Sequence, residues 1–545
     1  MLENLGSALL AILHWKYLVP LFAGTLVGVV GGALPGVTIT MTIIVILPFT
    51  YGLDPMAGLA AMTGVYVGGS AGGLITACLL GIPGTPSAIA TTFDGFPMAR
   101  KGEPGRAVWL GVWASCFGGL VGGLFLILVT GPLAAIALAF GPWEYFSLFV
   151  LAMAMVAGLA EASLIKGLVS TAIGLMITVV GTDPIGGVPR FTYGLEFLSG
   201  GFPFLPVLIG IFAFAQIMTD VEKMRQPKAQ GEHVARLNLS VAQLKVIGEI
   251  VGRPFLFLWS VIVGILIGVL PAIGGSAASV LAYDQAKKLS RTPELFGTGH
   301  PEGIIASESS NNANVGGSLV TIMAFGIPGD AVTAVMLGAM TIHGLQPGPL
   351  FVSQKPDIAY GIYAAYILAH PLMVAIIAVC ALFMLRITRI RLAVLAPVVL
   401  VLCAIGAYAL NNTMSSVYIL LIFGVVGYVL VKAGFPLAPL ILGLILGDQI
   451  EINLIRAYMT DDNLPLFLTR PISGGLLAAA ALSVGFAVWQ HLRHQKRTAG
   501  SADPTCESPH VAGGAIAGAR CALYRGPPPA SLRSCKEPRC ALATP

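Results

Sequence analysis

Two segments of this chain combine residues that break helices with residues that bind ions. Gly81-Ile82-Pro83-Gly84-Thr85-Pro86-Ser87 interrupts one apolar stretch, and Gly326-Ile327-Pro328-Gly329-Asp330 interrupts another in the second half. Proline has no N–H to continue a helix ladder, and glycine admits dihedrals closed to other residues. Amides, carbonyls and the Thr85 and Ser87 hydroxyls are thereby left without intrahelical partners. A helix that resumes after such a break presents N–H groups and positive dipole charge to a carboxylate, while a helix C-terminus presents carbonyls to a cation. A single break of this kind reads as a kink or a packing site. Its recurrence favours binding, so Gly81, Pro83, Gly84, Thr85, Ser87, Pro328 and Gly329 are candidate substrate-binding residues.

Polar residues crowd the approach to the second break: Glu302, Ser307, Glu308, Ser309, Ser310, Asn311, Asn312 and Asn314. Amide oxygens and hydroxyls are hard ligands suited to Na⁺, and asparagine N–H groups donate to carboxylates. An ordinary extramembrane loop is the competing reading, but the cluster abuts a long apolar segment, where polar groups are costly unless used. Asn311 and Asn312 are the expected substrate ligands, in a loop that closes on the solute. Asn312 and Asp330 are the expected coupling-ion residues. Asp94, in Asp94-Gly95-Phe96-Pro97, reads as a turn or cap, and His343 is assigned no role.

The elements that position these groups must lie in lipid. Of 545 residues 56% are apolar and 10% charged, with mean hydropathy +0.87, whereas a soluble chain needs roughly a quarter charged. The apolar runs predict an all-α, polytopic membrane helix bundle of about a dozen spans or half-spans, and the run from Trp109 to Phe140 is long enough for two. The 67 glycines and 36 prolines fit close helix contact and broken or re-entrant helices. Gly72-Gly73 precedes the first break and Gly316-Gly317 the second, and Gly32-Ala33-Leu34-Pro35-Gly36 is echoed by Gly268-Val269-Leu270-Pro271-Ala272. These echoes predict two repeated halves, 18–218 and 255–450, joined by a basic linker at 219–254. A lead-in (1–17), a C-terminal loop and last span (451–491) and a disordered tail (492–545) complete the organisation. Paired halves that each carry a broken apolar segment are the pattern of secondary transporters working by alternating access.

The remaining residues exclude other classes. Basic residues cluster around Arg100 to Arg106, Lys223 to Arg253, Lys287 to Arg291, Arg386 to Arg391 and Arg493 to Arg497, which marks those loops as cytoplasmic. They set orientation and imply no nucleic-acid partner. The lead-in lacks the basic start and cleavage site of a signal peptide. Cys78, Cys116, Cys380 and Cys403 lie singly in apolar segments and read as small hydrophobes. No phosphate-binding Gly-Lys-Ser/Thr loop, nucleophile–base set or metal-ligand spacing occurs in the sequence, so neither an ATP-driven pump nor an enzyme is expected. The only cofactor expected is a transported Na⁺ or H⁺. An anion channel, which also uses broken helices, or a transporter for a different small solute is the alternative.

Several motifs together carry a family resemblance. Gly32 to Gly36, Gly64 to Gly102, Tyr283 to Gly303, Glu308-Ser309-Ser310-Asn311-Asn312-Ala313, Gly344-Leu345-Gln346-Pro347-Gly348-Pro349 and Arg470-Pro471-Ile472-Ser473 resemble the large membrane subunit of the tripartite tricarboxylate transporter family, over about Leu18 to Trp489. The resemblance implies a multi-pass permease of the bacterial inner membrane, driven by an ion gradient. It also implies a small membrane subunit, a periplasmic solute-binding protein, and a tricarboxylate such as citrate or a related carboxylate as substrate. The chain departs from the family pattern at Asp448-Gln449-Ile450-Glu451, where a Gly-Pro-type start is expected before the glutamate. Ala272 stands where the first half has Gly36.

Overall fold

A computed structural model describes residues 2–158, 164–183, 185–223, 244–271, 273–387 and 392–499. Most of the expected linker (224–243), most of the tail (500–545), Ala272, Arg389 and Arg391 lie outside the described residues. In lipid a backbone must satisfy its own hydrogen bonds, and the apolar runs do so as helices. Among the described residues nine helices are long and apolar enough to cross a membrane. A tenth is counted when Lys245–Val251 and Pro254–Val269, bent by 79°, form one span. The chain is thus a multi-pass membrane protein, with nine or ten such spans among the described residues.

The apolar runs differ in what they form. The run at Trp109 lies in a single 34-residue helix, Pro104–Ala137, and several other runs form short apolar helices, among them Ile39–Thr50 and Ala331–Ile342. At about 1.5 Å per residue a 12-residue helix reaches roughly 18 Å, little more than half a bilayer core. The strands among the described residues are a short antiparallel pair, Gly181–Thr182 with Pro189–Arg190. The last helix is Pro471–Ala499.

Two buried helices, Pro55–Leu80 and Pro301–Phe325, form the centre. Each is gripped by a glycine-studded neighbour. A Cβ on Gly28 of Trp15–Ala33 would stand 2.4 Å from the Val65 carbonyl oxygen, and one on Gly268 of Pro254–Val269 would stand 2.3 Å from that of Asn314. Only glycine lets the backbones come so close. Both central helices end in a left-handed glycine cap, Gly81 at φ 65°, ψ 15° and Gly326 at φ 71°, ψ 16°. After each cap the chain doubles back, pressing Gly84 against the Gly32 carbonyl and Gly329 against the Gly268 carbonyl.

This geometry shifts the expected Gly-Gly correspondence by one residue. Gly84 closes on Gly73, and Gly329 closes on Ser318. Gly72 and Gly317 take the equivalent places, each against a carbonyl of the gripping helix (Val29 and Ile265), while Gly316 packs on Gly122 instead. The central helices run antiparallel to each other. Ser70 is level with Asn311, to whose side chain it is hydrogen-bonded. Leu74, one turn later, is level with Glu308, both side chains flanking Gly111.

Four shorter helices start in the interior and leave it in opposite directions. Ile39–Thr50 and Ala331–Ile342 run to one end of the bundle, where Thr50 and His343 both flank Gly58. Ile89–Arg100, preceded by the 3₁₀ turn Pro86–Ala88, and Gly274–Leu289 run to the other. There Met98 meets Gly299, the Ser290 hydroxyl donates to Glu302, and the ion pairs Arg106–Glu249 and Arg253–Glu302 form.

Candidate functional site

The N-termini of these four helices converge on one cavity of about 350 Å³. Sequence explains each terminus. Thr38 caps Ile39–Thr50, its hydroxyl accepting from the Met41 N–H at 3.1 Å. Thr85 and Ser87, hydroxyl to hydroxyl at 3.1 Å, sit where Pro86 opens the 3₁₀ turn. Gly274, at φ +77°, turns the chain into Gly274–Leu289. Asp330 caps Ala331–Ile342 with a reciprocal box: its Oδ1 accepts from the Thr333 N–H, and the Thr333 Oγ1 accepts from the Asp330 N–H, both at 2.9 Å.

The central helices supply the rest of the polar wall. Asn311 Nδ2 donates to the Ser70 carbonyl at 2.8 Å, which holds its Oδ1 toward Gly275; a Cβ there would lie 2.6 Å from that oxygen. Asn314 lines the same wall, its Oδ1 without a protein partner. The Tyr66 hydroxyl donates to Asp330 Oδ2, tying the first half to the second. Opposite lies an apolar wall of Phe212, Leu437, Ile441 and Ile445, relieved by Gln216. Phe212 belongs to the π-helical turn Gly210–Phe214. The leucine and isoleucines belong to Leu437–Thr460, whose Gly443 packs on the Thr171 carbonyl of Leu164–Thr178.

Chemically, the cavity offers N–H groups at helix starts, hydroxyls and amides. Among the described residues no Lys, Arg or His lines it, and Asp330 is its single carboxyl. Converging N-termini attract an anion, but a carboxylate here would face a carboxyl without a cationic side chain between them.

Of the residues selected by sequence, Thr85, Ser87, Asn311, Pro328 and Asp330 line the cavity. Gly81, Pro83, Gly84, Asn312 and Gly329 do not. Gly81 is a helix cap against the Phe96 ring, and Gly84 and Gly329 are contact points between backbones. Asn311 and Asn312 lie inside the Pro301–Phe325 helix, not in a loop. Adjacent helical residues point about 100° apart. Asn312 therefore turns away, buried with both amide atoms unpartnered and its carbonyl accepting from the Tyr366 hydroxyl at 3.1 Å. Asn314, three residues from Asn311, shares its face, a spacing legible in the sequence. Thr38, Tyr66, Ser70, Gly275 and Ser276 were not selected; Thr38 and Ser276 follow the echoed Leu-Pro turns, and that position was the available signal.

Asp94 does cap, but across the fold: its Oδ1 accepts the N–H groups of Gly297, Gly299 and His300 at 2.9, 2.8 and 2.7 Å, and its Oδ2 accepts from the Tyr283 hydroxyl at 2.9 Å. In the departing motif Asp448 to Glu451, within Leu437–Thr460, the two Glu451 carboxylate oxygens accept from the two terminal Arg190 nitrogens at 2.5 and 3.1 Å. Arg190 holds its proton above the usual arginine range, chiefly through that hydrogen-bonded pair.

Residues 18–442 match the sequence profile of the tripartite tricarboxylate transporter TctA family. A protein of Agrobacterium vitis described as an uncharacterized 52.8 kDa protein in the TAR-I ttuC' 3' region is 34% identical over 476 residues, spanning 87% of this chain and 94% of that protein. A second, described as an uncharacterized protein in the TAR-II ttuC' 3' region of the same organism, is 33% identical over 234 residues, 43% of this chain and 97% of that protein. No solved structure matches the chain.

Proposed function

The chain belongs to the tripartite tricarboxylate transporter TctA family, and we propose that, as its large membrane subunit, it moves carboxylates by alternating access at the cavity where four helix N-termini meet. That convergence carries the reading. Dipole ends and hydroxyls hold a carboxylate without a fixed positive side chain, so the solute's charge is balanced by a co-transported Na⁺ or H⁺ beside Asp330. Binding and ion coupling thus share one site, and either ligand alone is held poorly.

The two halves are related and inverted, as the matched glycine caps and antiparallel central helices suggest. The movement belongs to the apolar wall: helices 204–223 and Leu437–Thr460 slide against the polar centre and open the cavity to alternate ends. The end carrying Arg106, Lys245, Arg253 and Lys287 faces the cytoplasm by its charge, an orientation that supports the reading of a bacterial inner-membrane protein. A periplasmic solute-binding protein delivers the substrate, and a small membrane subunit completes the assembly.

The test is uptake of labelled citrate and smaller dicarboxylates by cells expressing the chain with both partners, sodium and proton gradients being varied separately. Saturable uptake that needs the binding protein and a gradient is expected. Fast, non-saturating flux without the binding protein would establish an anion channel instead.

A further inference from the structure

Below the cavity, toward the basic end, lies a buried acid that the solute site does not use. Glu308 sits one helical turn from Asn311, about 4.5 Å along the same helix and on the same face. It is fully buried. Its Oε1 accepts from the Thr91 hydroxyl and its Oε2 from the Ser115 hydroxyl, the latter at 2.8 Å. Thr91 in turn lies 3.1 Å from the Ser307 hydroxyl, and Ser307 donates to the Gly303 carbonyl at 2.9 Å. Thr91 is itself one turn from Ser87 on the neighbouring half-helix, so two cavity-lining residues stand directly over the acid.

The surroundings decide what this carboxyl carries. Cys78 faces it from Pro55–Leu80, and Asp94, with Tyr283 bonded to it, lies one turn beyond Thr91. Pro104–Ala137 contributes Ser115 and Gly111 to its shell. Arg106, at the start of that helix, is paired with Glu103 and Glu249. No cation pairs with Glu308 among the described residues. An ionised carboxylate buried without a cation is costly, and the neutral acid far less so. Asp94 makes the contrast: three of its partners are backbone N–H groups, which can only donate. The hydroxyls around Glu308 rotate, donating to the carboxylate or accepting from the acid, and Ser307 stands ready to accept from Thr91 once Thr91 accepts from Glu308.

We propose that Glu308 is a proton-carrying site, distinct from the solute cavity, that loads and unloads one proton in each transport cycle. The proton comes from water reaching the cavity past Asn311 and Ser87, adds to a Glu308 oxygen, and returns to water from the basic end. This rests on the transporter reading above and adds, to the ion balanced beside Asp330, a proton carried at Glu308.

The test uses Glu308→Gln, which keeps the size and hydrogen-bonding capacity of the neutral acid but cannot release a proton. Wild type and variant are reconstituted with their partners in vesicles and given citrate and the smaller dicarboxylates. The variant is expected to retain carboxylate counterflow, which needs no net proton movement, and to lose both gradient-driven accumulation and the external alkalinisation that accompanies uptake. Independently of transport, purified wild type at neutral pH shows the infrared carbonyl band of a buried neutral carboxyl that the variant lacks. Accumulation and alkalinisation equal to wild type overturn the proposal, as does an unchanged carboxyl band. If wild type itself takes up no member of the panel, the transporter reading falls and this inference with it; if wild type transports and the variant accumulates equally, this inference alone falls.

Discussion

Asn311→Asp changes one nitrogen to oxygen and adds a negative charge to the wall of the cavity. A sphere of the cavity's 350 Å³ has a radius of roughly 4 Å, and like charges at that distance repel by about 4 kcal/mol at an effective dielectric constant of about 20. A bound carboxylate settles partly away from the new charge, which leaves about 3 kcal/mol, a loss of affinity of roughly a hundredfold. The substitution also removes the amide donor to the Ser70 carbonyl, worth about 1 kcal/mol of stability; this is a separate quantity, read as a small drop in melting temperature. Equilibrium binding of labelled carboxylate to purified protein reads the first effect, and thermal unfolding in the same detergent reads the second. Affinity within about threefold of wild type in a normally folded variant refutes the assignment of this cavity to an anion. Tighter binding of a cation without any effect on carboxylate would identify a cation site instead.

Three further outcomes follow from the packing. Tyr66→Phe removes the hydroxyl that donates to Asp330, a bond to a potentially charged group worth about 1.5–3 kcal/mol; the concentration of driving ion giving half-maximal uptake shifts about tenfold or more, with Asp330 still capped by Thr333. Gly329→Ala places a Cβ 2.5 Å from the Gly268 carbonyl oxygen and 2.7 Å from the Ser318 Cα, both backbone atoms. Overpacking of about 1–3 kcal/mol therefore lowers the melting temperature and uptake together. Asn312→Leu replaces a buried amide whose two polar atoms have no partner with an apolar group of similar size. Stability is unchanged or higher, and carboxylate affinity stays within about twofold of wild type; a large loss of binding would place Asn312 in the site after all.

Composition and local pattern were enough to establish a great deal. A chain with one charged residue in ten has no means of covering a soluble surface, so lipid as solvent, and helices as the fold, follow without a structure. Gly81 and Gly326 announce helix ends because the residues after each helix include a proline and a second glycine. Thr85, Ser87, Asn311 and Asp330 stood out because polar residues next to apolar segments are rarely idle. These signals are short-range, and a sequence displays them directly.

What only the tertiary structure decided depends on contacts between distant residues and on helical phase. Asn311 and Asn312 are equivalent as a dipeptide, but the rotation of one helix relative to its glycine-rich partner sends one to the cavity and the other into the packing. The antiparallel course of the two central helices rests on pairings such as Ser70 with Asn311, separated by 241 residues, for which no local pattern codes. The same holds for Glu308, whose role depends on Thr91 and Ser115, separated from it by 217 and 193 residues. A buried acid and a surface acid look alike in a sequence; burial, and the partners it enforces, belong to the fold.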